Sequence, residues 1–109
     1  MNRWVIVRGR RVPLKAGDNL IGRDPNAEIW LDAAGVSRRH ARIAVTASNS
    51  AIEDLGSKNG TRVGEVRVVV PMTLRNGDTI RIGPLTMVYR MDDGGVTTET
   101  LPIEVEPTT

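Results

Sequence analysis

The chain has 109 residues, a formal net charge of +2, no cysteine and a single histidine, His40. The length is enough for one domain with a hydrophobic core, while the cysteine and histidine content excludes disulfides and argues against a metal site. No apolar run approaches the roughly 20 residues of a membrane span, and the first residues lack the apolar segment of a signal peptide, so we expect a cytoplasmic protein that does not bind membranes.

Short runs rich in Val, Ile, Leu and Thr follow one another as far as residue 90, and such runs predict β-strands. Residues 40–45 alternate, with Ala41, Ile43 and Val45 on one face, as in a strand with one buried side. In chain order we predict strands at 4–7, 11–14, 19–22, 29–31, 40–45, 51–55, 65–70, 78–82 and 85–90, with tight turns at Gly9-Arg10 and Gly83-Pro84.

No stretch has the 3.6-residue period of an amphipathic helix, and 11 glycines and 6 prolines punctuate the short runs. Short strands at close spacing with glycine-rich turns favour an antiparallel sandwich or barrel, so the predicted fold class is all-β. Gly94-Gly95 follows the last predicted strand. We therefore expect one domain over residues 1–91 and an acidic, Thr-rich flexible tail over residues 92–109.

The charged residues are unevenly distributed between this domain and this tail. The tail carries five acidic side chains and no basic ones, whereas residues 1–91 carry 15 basic and 8 acidic side chains, a net charge of +7. A cationic surface of this kind favours an anionic partner, such as a phosphoprotein, nucleic acid or an acidic membrane.

Four short polar segments lie between the predicted strands, where binding residues tend to sit on a rigid β scaffold. They are Gly22-Arg23, Ser37 to His40, Ser57 to Thr61, and Leu74 with Gly77 to Gly83. Each is a weak signal alone, but in this order and spacing they resemble the forkhead-associated (FHA) domain. The resemblance implies an antiparallel β-sandwich of about eleven short strands, with loops at one end that bind phosphothreonine peptides, a mode of recognition known for this family.

The resemblance assigns four residues to the phosphate: Arg23, Ser37, Arg38 and Lys58. A phosphothreonine carries about −1.5 to −2 charge and three acceptor oxygens. The planar fork of Arg23, the short hydroxyl of Ser37 and the second cation of Arg38 suit such a ligand. Lys58 would add its ammonium or its backbone N–H, although the family often has Thr or Ser at this position.

Other residues take supporting roles by the same resemblance. Asn59 would hydrogen-bond the peptide backbone, because an amide offers both a donor and an acceptor; alternatively it serves only as a turn residue before Gly60. His40 would brace the binding loop without touching the phosphate. Gly22 and Gly60 would meet backbone requirements, either a close approach or a positive φ. Arg39 faces either solvent or the peptide residues that flank the phosphothreonine.

Three other functions compete with this prediction. For an enzyme, Ser37 and His40 lack an acid partner and a Gly-x-Ser-x-Gly elbow, and no Walker loop or dinucleotide fingerprint is present, so we expect neither catalysis nor a cofactor. For a nucleic-acid-binding protein, the charge of residues 1–91 fits but aromatic residues for base stacking are scarce. A protein-interaction module that ignores phosphate is the third, and the combination of Arg23, Ser37 and Asn59 argues against it.

The tail contains a candidate ligand for the domain itself. Some FHA domains favour an aliphatic residue three positions after the phosphothreonine. Leu101 has this position relative to Thr98, and Ile103 has it relative to Thr100. The hypothesis is that phosphorylated Thr98 or Thr100 docks on its own domain or on that of a neighbour; the alternative is an ordinary linker with accidental spacing.

Overall fold

The computed structural model describes residues 2–92, which form two β-sheets packed against each other. In chain order the strands are β1 (Asn2–Val7), β2 (Arg10–Pro13), β3 (Gly17–Gly22), β4 (Ile29–Trp30), β5 (Ala41–Val45), β6 (Ser50–Asp54), β7 (Thr61–Val63), β8 (Val66–Arg67), β9 (Met72–Thr73), β10 (Thr79–Ile82) and β11 (Leu85–Asp92). Between residues 2 and 92 there is no helix of the length and apolarity needed to cross a membrane.

One sheet has six strands in the order β2-β1-β11-β10-β7-β8, and the other has five in the order β4-β3-β5-β6-β9. Their pairing is antiparallel except between β3 and β4. The alternating apolar side chains of both sheets meet in one core, and Tyr89 of β11 crosses it to donate a hydrogen bond to the Ser50 hydroxyl at 2.7 Å. The predicted all-β antiparallel sandwich is confirmed.

The single strand predicted over residues 65–70 is wrong. Strand β8 covers only Val66–Arg67, and the chain then bends at Val69 and Val70, whose side chains are 79% and 63% exposed. Pro71 has no N–H to continue a strand ladder. These β-branched residues have a high propensity for a strand, but no partner strand lies beside them. Strands β7 and β9 were not predicted, because three and two residues are too few to show a period of two.

The first hairpin turn lies one residue earlier than predicted. Val7 pairs with Arg10, so the turn consists of Arg8 and Gly9, with φ angles of 53° and 73°. Two left-handed residues are typical of a type I′ turn, whose twist matches that of the flanking strands. The turn predicted at Gly83-Pro84 is present between Ile82 and Leu85.

The strand register brings distant loops to one end of the sandwich. Ile21 pairs with Ala41, and Ala41 pairs with Asp54, so the end of β3, the start of β5 and the end of β6 lie side by side. Ile82 pairs with Thr61, which brings the β10–β11 turn to the same end. The four polar segments of the sequence therefore converge, apart from the part of the last one that precedes β10.

Candidate functional site

A close backbone approach holds the segment after β3 against the segment before β5. The Arg23 N–H donates to the Ser37 carbonyl at 3.0 Å, and the Asp24 N–H donates to the Arg38 carbonyl at 3.2 Å. Gly22 permits this contact, because a Cβ at this position would lie 2.0 Å from the Arg38 carbonyl oxygen. The requirement at Gly22 is therefore close approach, and it keeps Arg23 beside Ser37 and Arg38.

The buried His40 side chain connects the loop that contains Ser37 to the loop that contains Gly60. It is 0% exposed, and its Nδ1 accepts a hydrogen bond from the Ser37 backbone N–H at 3.0 Å. Nδ1 therefore carries no proton, so Nε2 carries the ring proton and donates it to the Gly60 carbonyl at 2.8 Å. Both ring nitrogens are occupied by backbone groups, and neither of them contacts the Ser37 hydroxyl.

Asp54 organises the turn that follows β6. Its carboxylate accepts hydrogen bonds from the backbone N–H groups of Gly56 and Ser57, each at 3.0 Å, and from the hydroxyls of Ser57 at 2.6 Å and Thr61 at 2.7 Å. Partial burial raises the pKa of Asp54, but these four hydrogen bonds together outweigh it and lower the pKa below the usual aspartate value. The Ser57 hydroxyl in turn accepts the Gly60 N–H at 2.9 Å, where the chain has a φ of 85°.

We expect Asp54→Asn to lower the free energy of unfolding by about 1–3 kcal/mol at pH 7. One carboxylate oxygen accepts both backbone N–H groups and the other accepts both hydroxyls, so an amide NH2 in either orientation would face two donors. The ionised carboxylate stabilises the fold above the unfolded-state pKa near 3.8, and this contribution is lost as the pH falls through the lower folded-state pKa. The difference between variant and wild type should therefore shrink below about pH 4. Urea denaturation of both proteins across pH 2–7 measures this; a difference that does not depend on pH would contradict it.

Five of the predicted residues line one depression at this end of the sandwich: Arg23, Ser37, Arg38, Lys58 and Asn59. Gly35 and Val36 complete its lining, which contains three cationic side chains and no carboxylate. The guanidinium of Arg23 and the ammonium of Lys58 form no ion pair within residues 2–92. The depression is therefore a site with positive potential that is open to an anion.

The hydrogen bonds inside the depression leave useful groups available. The Lys58 N–H donates to the Ser37 Oγ at 3.0 Å, so the single proton of that hydroxyl can be donated elsewhere. The Asn59 side-chain amide donates to the Gly35 carbonyl at 2.8 Å, which leaves its Oδ1 as an acceptor. Arg38 lies 3.9 Å from the Asp24 carboxylate in an exposed and weak ion pair.

The remaining predicted residues lie behind the depression or outside it. Gly22, His40 and Gly60 are buried beneath the loops, whereas Arg39 is exposed and does not line the depression. Sequence reasoning missed Gly35, Val36 and Asp54. Only Asp54 has a recognisable signal, because in Asp54-Leu55-Gly56-Ser57 an Asp two residues before Gly-Ser is typical of an Asx turn, in which the carboxylate accepts backbone N–H groups two and three residues on.

Comparison with known proteins gives a consistent result. The family model for the FHA domain matches residues 19–83. The transcriptional regulatory protein EmbR of Mycobacterium tuberculosis is 42% identical to this chain over 89 residues, which are 82% of this chain and 23% of EmbR. The chain therefore spans less than a quarter of the length of this relative.

Two solved structures are similar along most of the chain. One comes from a structural and functional analysis of phosphothreonine-dependent FHA domain interactions; it has a TM-score of 0.80 at 35% identity and covers 84% of this chain and 98% of that one. The other is Mycobacterium tuberculosis EmbR in complex with a low-affinity phosphopeptide, with a TM-score of 0.80 at 37% identity, covering 88% of this chain and 26% of that one.

Proposed function

This chain belongs to the FHA domain family, and on that premise we propose that it binds phosphothreonine on partner proteins as a non-catalytic module of kinase signalling. The observation that carries the proposal is the depression in which Arg23, Ser37, Arg38 and Lys58 meet without a carboxylate. The similar structures support it, since one comes from work on phosphothreonine-dependent interactions and the other holds a phosphopeptide.

The phosphate is held by charged and hydroxyl donors from three loops, β3–β4, β4–β5 and β6–β7. The planar guanidinium of Arg23 donates hydrogen bonds to two phosphate oxygens, and the Ser37 hydroxyl donates a hydrogen bond to the third. On binding, Arg38 leaves its 3.9 Å contact with the Asp24 carboxylate and pairs with the phosphate, because the phosphate carries more negative charge than a carboxylate. Lys58 contributes its ammonium, because its backbone N–H is already donated to Ser37.

The rest of the ligand meets two other lining residues. Asn59 presents its free Oδ1 to a backbone N–H of the peptide, while its bond to Gly35 holds it in place. The threonine methyl group is buried against this lining, whose one large apolar residue, Val36, is itself only 3% exposed. Burial of one methyl group gives about 0.8 kcal/mol, so phosphothreonine should bind about fourfold more tightly than phosphoserine.

His40, Gly22 and Gly60 support the loops without touching the ligand. The occupation of both His40 nitrogens by backbone groups argues against a Ser37–His40 catalytic pair. Residues 1–91 were predicted as the binding domain and residues 92–109 as its tail; strand β11 includes Asp92, so in this proposal the domain extends one residue further than predicted. Thr98 and Thr100 lie outside the described residues, so their docking after phosphorylation stays a hypothesis.

An oriented phosphothreonine peptide library tests this function, with phosphoserine and unphosphorylated versions of each selected peptide. Three or four charge-assisted hydrogen bonds give roughly 5–12 kcal/mol, against an association cost of about 4–15 kcal/mol. With flanking contacts we expect a Kd near ~1 μM for the selected phosphothreonine peptide. Fluorescence anisotropy should show the phosphoserine version binding about fourfold more weakly, and the unphosphorylated version not binding measurably.

The same measurement separates the competing functions. Equal binding of phosphorylated and unphosphorylated peptides would favour an interaction module that ignores phosphate. Tight binding of a labelled oligonucleotide that weakens steeply with salt, without binding of any phosphopeptide, would favour a nucleic-acid-binding protein. Either result would contradict the proposed function.

A further inference from the structure

Three arginines form one row across the outer face of the six-stranded sheet. Arg81 of β10 lies directly opposite Arg62 of β7, and Arg62 lies directly opposite Arg67 of β8. All three are exposed, and none forms a side-chain hydrogen bond or ion pair with another part of residues 2–92. Like charges directly opposite each other destabilise a sheet, so this row costs stability in the free protein.

The row borders a second polar depression. Arg62 and Arg81 line it together with Thr79, Thr86, Gly64 and Glu65. Thr86 lies directly opposite Arg81 on β11, so a hydroxyl stands beside the guanidinium. Glu65 forms no ion pair with these arginines at 4 Å or less. Two guanidinium forks with neighbouring hydroxyls are suited to carboxylates.

The row begins beside the phosphate site. The Arg67 guanidinium would lie 3.5 Å from a Cβ placed on Gly60, the residue after Asn59. Neighbouring strands are about 4.8 Å apart, so the row extends about 10 Å from Arg67 to Arg81. An extended peptide advances about 3.3 Å per residue, so the row spans about three residues of a peptide that continues past the bound phosphothreonine.

We propose that this arginine row binds an acidic, Asp/Glu-rich stretch of the same phosphorylated partner, and so selects among phosphothreonine sequences. The inference rests on the proposed function and names a further part of its ligand. A second copy of the chain would bring the same arginines against each other. Nucleic acid fits less well, because the residues that line the depression beside Arg62 and Arg81 include no aromatic side chain for stacking a base.

The test uses one library-selected phosphothreonine core peptide with three extensions: neutral on both sides, four Asp/Glu residues N-terminal, or four C-terminal. We expect one acidic version to bind the wild-type chain about fivefold more tightly than the neutral version at low salt. In Arg62→Gln/Arg81→Gln this gain should fall below about twofold, with binding of the neutral version unchanged. The thermal midpoint of this variant should equal or exceed that of the wild type, since like-charge repulsion is relieved.

The matched control is Arg75→Gln/Arg90→Gln, which removes two exposed arginines farther from the binding loops and should retain the gain. Loss of the gain in this control would show a net-charge effect and overturn the proposal. No gain in the wild type, or a lower midpoint for Arg62→Gln/Arg81→Gln, would overturn it as well. Failure of the neutral core peptide to bind would instead refute the proposed function itself.

Two further measurements identify other occupants of this face. A single-stranded oligonucleotide that displaces the acidic extension at lower concentration than an Asp/Glu peptide does would assign the row to nucleic acid. The variant Glu99→Gln/Glu104→Gln/Glu106→Gln removes acidic residues of the tail. If it strengthens binding of the acidic peptide by as much as the gain that the arginine row provides, the row is occupied by the chain's own tail. Both results would overturn the proposal.

Discussion

Arg23→Ala should weaken binding of the selected phosphothreonine peptide by more than about 100-fold. The residue lines the depression without a carboxylate partner, and loss of its fork removes two charge-assisted hydrogen bonds to one ligand, about 3 kcal/mol in total. Its side chain is exposed and forms no bond within residues 2–92. The thermal midpoint should therefore change little, and fluorescence anisotropy with thermal denaturation measures both quantities.

Arg75→Ala is the matched control for this prediction. It removes the same charge from an exposed position outside the depression, so affinity for the phosphopeptide should stay within about twofold of wild type. If Arg23→Ala weakens binding by less than about threefold, a difference below ~0.7 kcal/mol, the assignment of Arg23 to the phosphate is wrong.

Gly22→Ala should destabilise the fold by about 3 kcal/mol, which lowers the thermal midpoint of a domain this size by more than about 10 °C. The new Cβ would lie 2.0 Å from the Arg38 carbonyl oxygen and 2.9 Å from that of Ser37. These are backbone atoms, so the two segments must separate and lose the bonds from Arg23 and Asp24. Phosphopeptide binding below the midpoint should fall by more than about tenfold, because the phosphate donors no longer converge.

Gly9→Ala separates this clash from the general cost of replacing a glycine. Gly9 has a φ of 73° and nothing within 4 Å of an added Cβ, so its replacement incurs only left-handed strain, about 1 kcal/mol, and leaves the site intact. Circular dichroism melting of the two variants gives the comparison. A midpoint for Gly22→Ala that is no lower than that of Gly9→Ala would contradict the close approach.

Local sequence patterns were sufficient for the fold class, whereas the site residues came from the resemblance to the FHA domain. Alternation and the Gly83-Pro84 turn depend on nearest neighbours along the chain. The turn is present, and the alternation predicted over 40–45 is present from Ala41, whereas His40 lies outside the strand and is buried. That resemblance identified five of the seven residues that line the depression, but not Gly35 and Val36. The segment over 65–70 failed because a strand needs a partner, and β propensity alone does not supply one.

The tertiary structure decided which groups meet and which of them remain free. His40 links Ser37 to Gly60 through its two ring nitrogens, and the bond from the Lys58 N–H sets the direction of the Ser37 hydroxyl. Arg62 and Arg81 are 19 residues apart and stand side by side only because β7 pairs with β10 in one register. The amino-acid sequence therefore determined the local conformations and the chemical groups, whereas the strand register, a property of distant segments, determined the geometry in which those groups act.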